Sequence, residues 1–344
     1  MTKILIVRFS AMGDVAMTVP IVYSLAVQYP ELDITVLSRN GFSAFFENLP
    51  RNVHFYGADL KGKHHGLLGL HKLFYELKAL HFDYVADFHS VLRTLPFRIR
   101  FKLMCVPVAR IHKGRKGKDE LVRKEHKVMK QQETSFQRYA DVLARLGFPL
   151  EPSFKSIYEN EKGYSGLFKS LTPAKADKEI WIGIAPFAKH KGKIYPLDLM
   201  EQVVGSLSKK SDVHLFLFGS GAEEESVMQK WANRYQQVFI TYRHLDLSGE
   251  LSLMSHLDVL ISMDSANMHM ASLVGTPVVS IWGATHSYAG FMGWGQKEEN
   301  MVQLDLGCRP CSVYGNKPCF RGDYACMNNI TPDRIVQKVM DVIE

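Results

Sequence analysis

The chain has 344 residues, and 46% of them are hydrophobic and 22% charged. That length fits about two domains with a full core, and it excludes a disordered, collagen-like or small disulfide-stapled chain. Its 42 Lys and Arg against 35 Asp and Glu give a net charge of +7, and no run approaches the ~18–20 uninterrupted apolar residues of a membrane span.

The opening Met1–Val7 is apolar, but Arg8 cuts the run short and no small-residue cleavage site follows. It reads as a first strand, Lys3–Phe9, of a cytoplasmic protein rather than as a signal peptide. A turn over Ser10–Gly13 precedes a helical pattern from Val15 to about Gln28. This turn has one glycine, so it is neither a G-x-G-x-x-G dinucleotide loop nor a Walker A loop. It does offer a carboxylate, Asp14, near a helix N-terminus, where the residue could serve a ligand or simply cap the helix. Further strands are predicted at Asp33–Ser38 and Tyr84–Phe88.

Between Arg93 and Lys130 stand 13 Lys and Arg against 3 Asp and Glu, which is more than the whole chain's excess of positive charge. Such a block attracts an anionic partner (nucleic acid, a membrane surface or a phosphorylated substrate) or is a solvated loop. Nucleic acid would call for interleaved stacking aromatics, and the block holds only Phe97 and Phe101. An amphipathic helix over Thr134–Leu146 ends at Gly147 and Pro149, and the polar stretch Glu151–Lys178 reads as containing an interdomain linker.

A second series of strands follows at Glu179–Ala185, Val213–Gly219, Val238–Tyr242, Val259–Met263 and Val278–Trp282, with helical patterns between them. Two such series predict an α/β protein with two Rossmann-like domains facing across a cleft, their ligands bound beyond the carboxyl ends of the strands. Three turns of this half carry candidate chemistry. The loop after the first strand holds Lys189, Lys191 and Lys193, suited to phosphate. In the second, Gly219-Ser220-Gly221 leads into Glu223, Glu224 and Glu225, where a carboxylate could accept from ribose hydroxyls or complement the helix dipole. In the third, Asp264-Ser265-Ala266 ends a strand and opens a helix whose amides could seat a pyrophosphate, with His269 one turn further in. Finally, Cys308, Cys311, Cys319 and Cys326 fall in a C-x2-C-x7-C-x6-C pattern, open to three readings: a structural zinc or iron site, reduced thiols or disulfides.

Taken in order, Ile4–Val15 with Thr18-Val19-Pro20, Lys193–Pro196 and Asp264–His269 resemble the glycosyltransferase family 9 heptosyltransferases, as does Cys326-Met327 with Ile330-Thr331-Pro332. Ala266 stands where the family motif has glycine. The resemblance covers nearly the whole chain. It implies a GT-B fold and an inverting transfer from ADP-heptose to the lipopolysaccharide inner core, without a catalytic cofactor. It also implies an acceptor domain over residues 1–165, a donor domain over 166–330 and a last helix, within 331–344, crossing back to the first domain. Asp14 would be the general base, while Lys193, Asp264, Ser265, Ala266, His269 and Glu224 would bind the donor. Arg98, Arg100, Lys102, Lys113, Arg115 and Lys116 would hold a phosphorylated glycolipid at an anionic inner-membrane face. A nucleotide-sugar epimerase and a non-catalytic relative are the alternatives.

Overall fold

The computed structural model describes residues 1–344, which form two compact α/β units. The first contains Met1–Lys113 and Thr134–Ile157, and the second Gly114–Glu133 and Tyr158–Glu344. The final passage from the first unit to the second comes at 157/158, after an earlier excursion: residues 114–133, from within the basic block, belong to the second unit.

In chain order the first unit runs β1 (Thr2–Val7), α1 (Met12–Ala16), α2 (Val19–Gln28), β2 (Leu32–Arg39), β3 (Val53–Ala58), α3 (Gly66–Lys78), β4 (Tyr84–Asp87), α4 (Leu95–Leu103) and β5 (Val108–Arg110). The excursion carries α5 (Arg115–Leu121), and the first unit resumes with α6 (Ser135–Ala144). Its sheet is parallel, in the order β3-β2-β1-β4-β5. Central β1 is buried from Ile4 to Val7, as a strand covered by helices on both faces must be. Leu5, Val7 and Phe9 share a core with Leu73 and Leu77 of α3 and Phe97 and Phe101 of α4. Strand order reverses between β1 and β4, so the residues after Val7 and its partner Asp87 lie together.

The second unit continues with β6 (Ile180–Ala185), α7 (Leu197–Leu207), β7 (Val213–Leu217), α8 (Ala222–Arg234), β8 (Val238–Ile240), α9 (Leu247–His256), β9 (Val259–Met263) and α10 (Ala266–Leu273). It closes with β10 (Val278–Ile281), β11 (Met301–Val302), α11 (Ala325–Asn328) and α12 (Pro332–Ile343). The sheet is again parallel, β11-β10-β9-β6-β7-β8, and Ala185 of β6 pairs with Ser262 of β9 at the switch point. The architecture is that of the GT-B fold, two Rossmann-like units in one chain.

The expected boundary at residue 165 gives way to the division after Ile157 and the excursion at 114–133. α12 clusters with the second unit, where Ile335 and Val339 are fully buried in the core shared by α7, β9, β10 and β11. Its apolar stripe is satisfied there.

Candidate functional site

In the first unit, Asp14 is the third residue of α1, and its Oδ2 accepts from the Ala11 amide at 3.1 Å as a helix-start cap. The same oxygen lies 2.8 Å from Nη2 of Arg8, the residue that follows β1. Arg8 is buried, and its Nη1 donates to the Phe88 carbonyl at 2.7 Å, tying the end of β1 to the end of β4. The Tyr139 hydroxyl of α6 donates to the Asp14 carbonyl at 3.3 Å. The carboxylate that caps the helix is therefore oriented from two sides and remains about one-third exposed, at 33%.

Beside it, buried Asp87 organises the turn after β4. Its Oδ1 accepts from the His89 and Ser90 amides, Oδ2 accepts from the Thr94 hydroxyl at 2.7 Å, and Arg98 Nε lies at 3.2 Å. The imidazole of His89 comes within 3.4 Å of the Ser10 hydroxyl, and its buried Nδ1 has no hydrogen-bond partner. Burial first, then Arg8 and Lys113, press its pKa down to about 3, so this histidine is neutral at physiological pH.

The second unit assembles its own cluster at the β6/β9 switch point. A 3-10 turn, Lys191–Lys193, follows β6, and the Lys193 ammonium sits 2.8 Å from Asp264 Oδ2. Asp264 directly follows β9 and is buried, with its Oδ2 also accepting from the Thr285 hydroxyl at 2.8 Å. Ser265 is the cap position of α10, and its hydroxyl lies 3.3 Å from that of Ser262. The ammonium therefore stands at the amino end of a helix whose first amides have no intrahelical acceptor. The helix start and the ammonium, balanced by the Asp264 carboxylate, thus lie together at the end of β9. Ala266 is the first residue of the helix, and His269 is buried one turn on. Glu224, on the first turn of α8, accepts from the Ser220 amide at 2.7 Å through Oε2 and so closes the turn after β7.

The six basic residues are divided between the two units. Arg98 is bound to Asp87, and Arg100 donates to His71 Nδ1 at 2.8 Å and lies over Phe74. Lys102 is exposed on α4, while Lys113 is half-buried at the end of the first unit's long segment. Arg115 and Lys116 are exposed on α5 of the second unit. The four cysteines are all free thiols, with Cys311 and Cys326 buried. They are near enough to influence one another electrostatically, and burial pushes the Cys326 thiol up to about 11. No three of them are grouped to hold a metal ion.

Arg8, Asp87, His89 and Thr285 had no role assigned from sequence. Arg8, His89 and Thr285 enter through a partner at another strand end, 80 residues away for Arg8 and Phe88 and 21 for Asp264 and Thr285, while Asp87 enters through the turn that follows it.

Against known proteins, the family model described as Glycosyltransferase family 9 (heptosyltransferase) matches residues 71–318. Lipopolysaccharide heptosyltransferase 3 of Escherichia coli strain K12 is 24% identical over 316 residues, covering 86% of this chain and 85% of that protein. Lipooligosaccharide heptosyltransferase 2 of Campylobacter jejuni is 22% identical over 177 residues; that match covers half of this chain, 50%, and 54% of the relative. The fold matches the solved E. coli heptosyltransferase WaaC with ADP at a TM-score of 0.69 and 16% identity, across 99% of this chain and 100% of that one.

Proposed function

Since the chain belongs to glycosyltransferase family 9, with the family model matching residues 71–318, we propose that it moves a heptose, or a closely related sugar, from ADP-heptose to a lipopolysaccharide inner-core acceptor with inversion. The observation that carries this reading is the Lys193–Asp264 pair, 2.8 Å apart at the amino end of α10. When the sugar–phosphate bond breaks, negative charge grows on the leaving nucleoside diphosphate. A fixed ammonium and free helix amides offset that charge without reorganising. Asp264 and Thr285 hold the ammonium in place, Ser265 and Ala266 bring the diphosphate to the helix start, and His269 supports that helix. The Glu224 carboxylate faces the ribose hydroxyls.

On the acceptor side, Asp14 takes the proton from the attacking hydroxyl as its oxygen bonds to the anomeric carbon, and the nucleoside diphosphate leaves with the bonding electron pair. Arg8 and the Ala11 amide fix the carboxylate's direction. The donor is already activated and no electrons are exchanged, so the reaction calls for no catalytic cofactor. An acceptor bearing phosphates and carboxylates on a lipid places the enzyme in the cytoplasm at the inner membrane, a setting suited to its basic first unit.

The test is direct: purified protein is supplied with ADP-heptose and a heptose-deficient core acceptor, and ADP release and the acceptor's mass gain are followed. One heptose added per ADP released supports the reading; ADP release with no mass gain, or no turnover at all, overturns it. Lys193→Gln keeps a hydrogen-bond donor for Asp264 but loses the charge, and kcat/KM is expected to fall by about 10²-fold.

A further inference from the structure

Half of the eighteen large apolar side chains that this fold leaves exposed lie between Leu67 and Met104. Leu67 and Leu68 on the first turn of α3 are 82% and 86% exposed, Leu92 just before α4 is 87% and Leu103 at its end is 78%. These positions are carried on or beside two neighbouring helices, α3 and α4. The Phe74 and Phe101 rings meet at 5.3 Å, and Arg100 reaches across to His71 and Phe74. Side chains that protrude so far are not filling gaps in a core, and isolated exposed leucines do not concentrate in this way by chance.

The same face is strongly basic. Lys61, Lys72, Lys78, Arg93 and Lys102 are exposed on it or beside it. The carboxylates of the stretch are already engaged: Glu76 with Lys63 and His64, Asp83 with the Lys3 amide, and Asp87 with Arg98. Next to α4, at the β5 edge of the sheet, opens a cavity of about 620 Å³. Arg98, Lys102, Arg110 and Arg145 wall it together with Leu95 and Ile99, and no acidic side chain lines it. Two of these cations have carboxylate partners, Arg98 with Asp87 and Arg145 with Asp141, while Lys102 and Arg110 have none. A polyanionic group fits such a wall, and its apolar rim is continuous with the protruding leucines of α4.

We propose that the α3–α4 face is the membrane-docking surface of this protein: Leu67, Leu68, Leu92 and Leu103 enter the headgroup layer of an anionic bilayer, and the pocket of Lys102 and Arg110 receives a lipid phosphate. Apolar groups flanked by Lys and Arg, with engaged carboxylates, are the combination that partitions to such an interface. The surface is not the continuous basic block of the sequence. It uses the part of that block in the first unit and adds α3, which lies outside it. The inference deepens the acceptor half of the proposed reaction and rests on it only for its purpose, since membrane binding is measured separately from transfer.

The experiment is sedimentation of the purified full chain with phosphatidylcholine vesicles, with and without phosphatidylglycerol. The protein is expected to pellet with the anionic vesicles, partly resisting salt because the leucines contribute. Lys102→Glu with Arg110→Glu should weaken partitioning by at least about 25-fold, at roughly 5-fold per charge removed. Leu67→Ser with Leu68→Ser and Leu103→Ser should weaken it by about 10-fold or more and abolish the salt-resistant fraction. Lys169→Glu with Lys230→Glu, a charge-matched pair elsewhere, should leave it within about 2-fold of the parent. Equal pelleting of the α3–α4 variants and the parent, equal binding with and without phosphatidylglycerol, or no binding by the parent would each overturn the proposal. Thermal stabilisation by ADP, recorded on every variant, shows that the protein is folded. It also separates loss of docking, with the ADP response retained, from failure of the donor reading, in which the parent itself does not respond.

Discussion

Asp14 serves both as helix cap and as proposed proton acceptor, and the two uses are compatible because they draw on different needs. The cap requires an oxygen near the Ala11 amide, which an asparagine also supplies; proton transfer requires a carboxylate. Asp14→Asn is therefore expected to keep the fold and ADP binding while turnover falls by about 10²–10⁴-fold, as initial rates and ADP thermal shifts on one preparation would show. A second residue makes a claim about stability. Glu250 of α9 is buried with its Oε1 accepting from the Thr241 hydroxyl at 2.9 Å, and burial lifts its pKa to about 7 against an ordinary 4.5. The folded chain thus keeps a proton that the unfolded chain has already lost, so this contribution to stability declines as pH rises from about 4.5 to about 7. Glu250→Gln should flatten that decline, which urea midpoints measured along the pH range would reveal. Of these residues, Asp14, Lys193 and Asp264 were legible in the sequence because each follows a readable strand. Arg8 and Thr285 were not, because the carbonyl or carboxylate that gives each its meaning comes from another segment.

Among the elements, the interior strands were the easiest to read. β1, β6 and β9 are short, wholly apolar runs because helices cover both faces of a parallel sheet. β3 and β5 escaped notice for the opposite reason: Val53–Ala58 is a half-exposed edge strand containing histidine and glycine, and β5 is only three residues long. α6 was readable at both ends. Thr134 and Gln137 form a reciprocal cap, and Gly147 takes a positive φ of 95° that other residues resist. The apolar stripe of α12 packs into the core of the second unit. Ile335 is completely buried on that stripe, so Ile335→Ala is expected to cost about 2–5 kcal/mol in a urea unfolding experiment. A helix lying loosely on the surface would lose a few tenths.

Across the whole molecule, charge is organised by unit rather than by sequence. The run from Arg93 to Lys130 reads as a single feature, yet its two parts belong to different compact bodies. Composition alone could not reveal this, since it counts charges along the chain and a fold distributes them over surfaces. The stretch 114–133 is held to the second unit by particular contacts. The Lys118 ammonium sits 4.1 Å from the centre of the Phe291 ring, the Gln132 amide donates to the Tyr288 carbonyl at 2.9 Å, and Lys127 donates to the Pro310 carbonyl at 2.9 Å. A fragment containing only residues 1–157 is therefore expected to leave this stretch open to rapid tryptic cutting, while the intact protein protects it; mass spectrometry of the first cleavage products would tell the two apart.

That threading also bears on how the protein is made. On the ribosome, residues 114–133 emerge well over a hundred positions ahead of Tyr288, Phe291 and Pro310, which give them their place. About 8 to 40 seconds of synthesis separate the two events at ordinary elongation rates of about 5–20 residues per second. During that interval a strongly cationic loop hangs from a nearly finished amino-terminal half, with Leu121 and Val122 still without cover. The carboxyl-terminal half is thus the later-arriving partner that completes its predecessor's loose end.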